Sequence, residues 1–177
     1  MRDPDGIGSW PRRLLHVPTM TSMTWQPGNT YGDYPSPRYN ALSYTWGRFR
    51  LDKEGRQRPE DSGYVRGLRI DGVEWTVPPI QPEHFTDIEF RNVLDRVSQS
   101  VQCDPVEFVW VDIACIDQRM GSEEGGLEVG RQAAIFHGAQ QVFIWLTKSL
   151  AEDVQKTWAS IILGISGSYS VTRRRCP

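Results

Sequence analysis

The sequence predicts an α/β domain built on a mostly parallel central sheet flanked by helices, with a β-hairpin and an irregular N-terminal arm. Three apolar runs carry that prediction: Tyr39–Thr45 (YNALSYT), Phe108–Ile113 (FVWVDI) and Gln141–Thr147 (QVFIWLT). Each is short and rich in β-branched or aromatic residues, as suits a strand covered on both faces. Helical patterns separate them, and strands alternating with helices favour parallel pairing through right-handed crossovers.

The first 38 residues are rich in Pro, Gly, Ser and Thr. Only Arg13–Val17 (RLLHV) reads as a short strand, so 1–38 is expected to be an extended arm. Residues 48–67 are charged and nearly free of aliphatic side chains, which marks a mobile insertion. Leu68–Val77 (LRIDGVEWTV) places Asp71-Gly72 between two apolar stretches, the strongest short-range signal for a hairpin. Thr86 and Glu89 form a capping box. Phe90, Val93, Leu94, Val97 and Val101 then repeat at helical period, so a helix is expected over 86–102. A second helix is expected from about Leu127 to Ala139. A third opens at Ser149 and Glu152, and 166–177 is a polar tail. The resulting plan is an arm at 1–38, a domain at 39–165 and the tail.

Composition narrows the function classes. A formal charge of −2 over 177 residues gives no overall attraction to nucleic acid or to anionic membrane, so neither is expected as a partner. Three widely spaced cysteines without a CxxC argue against a disulfide framework and against a zinc site, and imply a reducing compartment such as the cytoplasm. The N-terminus lacks the apolar core of a secretory signal, and no apolar run approaches the roughly 20 residues needed to span a bilayer. Dinucleotide, P-loop, zinc-protease and hydrolase-elbow strings are missing from the sequence. Seven Trp is a high count; Trp110 and Trp145 are expected in the core.

Parallel strands would bring their polar ends to one rim, where open α/β sheets bind ligands. The candidate binding residues there are Ser43, Tyr44, Trp46, Asp112, Cys115, Asp117 and Gln118. Asp112 either positions a ligand hydroxyl or caps the turn that follows it. Cys115 is a nucleophile only if a base forms its thiolate, and otherwise a small buried hydrophobe. Ser43, Tyr44 and Trp46 offer hydroxyls and a stacking surface; Asp117 and Gln118 offer loop hydrogen bonds. Glu124 is the carboxylate named for acid/base work or for stabilising a cationic sugar, against a reading in which it only favours a helix start.

Three blocks make the chain resemble a known family. YNALSYTWG at Tyr39–Gly47, VWVDIACIDQ at Val109–Gln118 and AIFHGAQQVFIWL at Ala134–Leu146 look like the signature blocks of the HET domain of fungal heterokaryon incompatibility. Asp117 stands where that family usually has Asn, and Thr147 where it usually has Gly. The resemblance implies a TIR-like, flavodoxin-like fold and a role in programmed cell death during nonself recognition, exerted through protein partners or self-association. It requires no cofactor. Some TIR domains hydrolyse NAD with a glutamate, so the resemblance also implies an enzymatic alternative with NAD as substrate and Glu124 as its carboxylate.

Overall fold

A computed structural model describes residues 6–44, 68–77, 85–99 and 105–145. Trp46, the insertion at 48–67, Val101, Thr147, the helix expected from Ser149 and the polar tail lie outside the described residues. The described strands are β1 (Arg13–His16), β2 (Thr21–Gln26), β3 (Thr30–Tyr31), β4 (Tyr34–Pro35), β5 (Tyr39–Tyr44), β6 (Phe108–Val111) and β7 (Val142–Trp145). The helices are α1 (Asp87–Ser98), α2 (Asp112–Cys115), α3 (Glu123–Gly130) and α4 (Gln132–Gly138), with one 3-10 turn at Val17–Thr19.

The strands form one mixed sheet in the order β4-β3-β2-β1-β6-β5-β7. The three strands expected to be parallel are so: β5 lies between β6 and β7 and pairs in parallel with both. The sheet as a whole is not mostly parallel, however. The four other pairings are antiparallel, and three of them join the N-terminal strands to one another. The irregular arm is thus half of the sheet. Its Pro and Gly residues are the reversals between short strands, with Gly28, Asn29 and Gly32 all at positive φ. β1 then runs antiparallel to β6, with Leu15 opposite Val109, and closes the edge that the parallel strands leave open.

The expected hairpin at 68–77 is also corrected. Asp71 reaches β2 instead, donating its N–H to Met20 O at 2.9 Å and accepting from Ser22 N at 2.8 Å. Gly72 has φ +79°, and a Cβ there would stand 2.4 Å from the Ser22 carbonyl oxygen. The Asp-Gly pair therefore serves a close backbone approach. The expected helix at 127–139 is two helices, broken at Arg131.

Alternation along the strands assigns the layers. Asn40 and Tyr44 face α1: Asn40 Nδ2 donates to Val97 O at 2.7 Å, and the Tyr44 ring meets Phe90 edge-on. Tyr39 and Trp110 face α4, through Tyr39 Oη donating to Ile135 O at 2.7 Å and Trp110 meeting Phe136. Helix α1 follows its sequence pattern closely, with both halves of the Thr86/Glu89 capping box formed and Phe90, Leu94 and Val97 buried. β6 is buried along its whole length. The core is continuous across β1, β5, β6 and α1.

Buried Asn40 also accepts from Gln141 N at 3.1 Å, so one side chain ties α1, β5 and the entry to β7. Asn40→Ala should cost about 2–3 kcal/mol, because it leaves a buried carbonyl and a partly buried N–H without their partner. A urea melt with an unchanged slope and a lowered midpoint checks this.

Candidate functional site

The rim forms where β5 and β6 end together. Leu42 lies opposite Val111, so Ser43 and Tyr44 leave β5 beside Asp112 as the chain leaves β6. Tyr44 stands against the Asp112 carboxylate. Burial first, and then the Asp112 charge and hydrogen bond, hold its phenol well above the ordinary pKa of 10. Ser43 is half-buried, opposite Ile144 of β7.

The polar cluster beyond β6 folds onto its own backbone. Asp112 opens the single-turn helix α2, and its Oδ1 accepts from Ile113 N at 2.7 Å. Three of the carbonyls of so short a helix find partners. Asp112 O accepts from Ile116 N at 2.8 Å and from Gln118 Nε2 at 3.1 Å. Ile113 O accepts from Trp75 Nε1 at 3.2 Å, and Ala114 O from Ser22 Oγ at 2.6 Å. Gln118 Nε2 donates a second time, to Ile116 O at 2.8 Å.

Asp117 anchors the following loop. Its carboxylate accepts from Arg119 N and Nε at 3.0 Å, from Arg119 Nη2 at 2.6 Å and from Ser122 Oγ at 2.8 Å. The Arg119 hydrogen bonds, outweighing burial, hold the Asp117 pKa down at about 2. Arg119 Nη1 also reaches Glu74 at 3.3 Å. Ser122 then caps α3, accepting from Gly125 N at 3.1 Å. Gly125 sits so close to the loop that a Cβ would meet Asp117 O at 2.6 Å.

Cys115 is fully buried beneath β6, its Sγ 3.9 Å from Val109 O. Burial pushes its thiol up to about 12, so it is protonated at neutral pH and inert as a nucleophile. Glu124 is 45 % exposed in the first turn of α3, with Oε1 4.0 Å from Arg12 Nε. Among the described residues no group of three or more His, Cys, Asp or Glu side chains could hold a metal ion, and no helix is long and apolar enough to cross a membrane.

One buried carboxylate has no distinctive signature in the sequence. Glu128, one turn after Glu124, is almost completely buried. Its Oε1 accepts from Arg12 N at 2.7 Å and its Oε2 from Arg131 Nη1 at 3.0 Å. Arg131 Nη2 goes on to Gly8 O at 2.8 Å and Trp10 O at 2.6 Å, so the pair straps the N-terminal segment to α3 and α4. Burial raises the Glu128 pKa despite both arginines. The available signal was Glu128 and Arg131 at i, i+3, a spacing that also describes many solvated surface pairs.

The model of the family described as "Heterokaryon incompatibility protein (HET)" matches residues 39–165, and the chain belongs to that family. No curated protein matches the chain, and no solved structure does. The matched stretch begins at β5 and takes in the whole rim, whereas β1–β4 precede it.

Cys115 should resist alkylation in the native protein and react only after denaturation, which peptide mapping by mass spectrometry resolves from the other two cysteines. For Asp117 the folded pKa lies below the ordinary 3.8, so its contribution is fully present above about pH 4 and is lost as pH falls through about 2. Asp117→Asn should therefore destabilise by on the order of 1–2 kcal/mol at pH 6. The gap to wild type should close towards pH 2 in parallel urea melts.

Proposed function

We propose that this HET domain is a cell-death signalling or effector module of fungal nonself recognition, acting in the cytoplasm through protein–protein association. The observation that supports association over catalysis is the state of the rim. Asp112, Asp117 and Gln118 are engaged in holding the backbone of residues 112–122, and Cys115 is buried and protonated. A catalytic cluster needs groups aimed outward at a reacting atom. Here the same residue types aim inward, and rigidify a loop that leads into α3.

Glu124, the carboxylate on which NAD hydrolysis would depend, is half-exposed and beside Arg12. Stabilising a cationic sugar calls for a carboxylate held in a water-excluded pocket. The exposed large apolar residues instead include Ile88 on α1, Leu127 and Val129 on α3, and Met120 in the loop before it. Exposed apolar side chains of this kind are available for contact with other proteins. The overall charge of −2 supports a partner other than nucleic acid.

Purified protein incubated with NAD should release nicotinamide no faster than buffer, and light scattering should show mass rising with concentration. Nicotinamide release that Glu124→Ala abolishes would replace this reading with the enzymatic one.

A further inference from the structure

Residues 7–12 precede β1 and belong to no helix or strand, yet side chains far along the chain hold them. Arg131 Nη2 donates to both Gly8 O and Trp10 O, and Tyr31 Oη donates to Pro11 O. Arg12 N donates to Glu128 Oε1 at 2.7 Å. The Trp10 ring lies against Tyr31 and Tyr39, 6.3 Å from each between centroids. Ile7 is buried, but among the described residues it stands apart from the continuous core, which includes Leu14 and Leu15 of β1.

We propose that residues 7–12 are a releasable strap, which lifts off as one unit while the sheet stays folded and uncovers the sides of the Tyr31 and Tyr39 rings that Trp10 meets. Its cohesion comes from Arg131. One guanidinium holds two strap carbonyls and the Glu128 carboxylate, so these bonds are lost together. Opening is favoured by electrostatics. Seating the strap keeps a carboxylate and a guanidinium out of water, and that desolvation offsets much of what their bonds return. Release lets water back to both groups. Strand β1 is held differently: Leu14 and Leu15 are fully buried, and its backbone pairs with β2 on one edge and β6 on the other. Its release would forfeit core burial and two sets of ladder bonds. The boundary between strap and strand is narrow, since pairing to β2 starts at Arg13, opposite Thr24. Trp25 N, donating to Arg12 O at 2.8 Å, is the bond beside that boundary. Segments resting on few buried apolar contacts open well below the free energy of global unfolding. The chain thereby offers two surfaces: one with the strap seated, and one with two tyrosine rings and a carboxylate–guanidinium pair open to water.

Native-state hydrogen exchange of the full chain, followed by NMR over a series of low urea concentrations, tests this. The Arg12 amide, donated to Glu128, reads the strap. The Val17 amide, donated to Glu107 O, and the Ala41 amide, donated to Gln141 O, read the sheet. In the wild type, Arg12 should exchange faster than Val17 and Ala41 and with little dependence on urea, because a small opening exposes little surface. Exchange at Val17 and Ala41 should instead accelerate with urea as global unfolding does. Trp10→Ala, which removes the ring contacts and keeps the ion pair, should speed exchange at Arg12 roughly tenfold. It should leave Val17, Ala41 and the urea midpoint unchanged. If Arg12 in the wild type is protected as strongly as Val17 and Ala41, with the same urea dependence, the strap opens only with the whole fold and the proposal fails. It fails equally if Trp10→Ala speeds all three amides alike.

Discussion

The strand β5 is the constraint on which the structure depends. Its backbone is hydrogen-bonded on both edges to parallel neighbours, and its first four residues are buried. A strand in that position cannot slip, because a shift of one residue would carry Asn40 into the α4 layer and Tyr39 into the α1 layer. Each already has a fixed partner there, Val97 O for Asn40 and Ile135 O for Tyr39. Register in turn fixes the rim: with Leu42 opposite Val111, Tyr44 and Asp112 must emerge together.

The rim is then rigid by satisfaction of its own groups. Helix α2 is a single turn with little internal hydrogen bonding, and Ser22, Trp75 and Gln118 donate to three of its carbonyls from three separate parts of the chain. Asp117 carries the order onward through Arg119 and Ser122 into α3. The buried Glu128–Arg131 pair continues it back to the N-terminal segment. Buried ion pairs of this kind cost desolvation, and their value lies in fixing one arrangement among several. Here that arrangement is the seating of residues 8–12 against α3 and α4.

Sequence patterning exposed the central features because each rests on local physics. β5, β6 and β7 are apolar runs of strand length, and α1 carries both its cap and its apolar face within one short stretch. What escaped depends on contacts distant in sequence. Strands of two residues, such as β3 and β4, hold no periodicity to detect, and only their pairing makes them strands. Asp71-Gly72 looks like a hairpin turn until Ser22 is placed against it. Glu124 and Glu128 are equivalent as letters in a helix, and only the position of Arg12, 116 residues before Glu128, makes the second the buried one. At the rim, the residue types were legible as a cluster, but whether their groups face outward or back onto the chain was not.

The antiparallel strands before β5 have a practical meaning for handling the protein. A fragment cut to the family-matched residues would begin at Tyr39 and discard β1, the strand that covers the outer edge of β6. Phe108 and Val109 would then present unpaired backbone and bare side chains to water, the arrangement most prone to edge-to-edge aggregation. Expression trimmed to the homology limits should thus aggregate more readily than a chain that keeps β1.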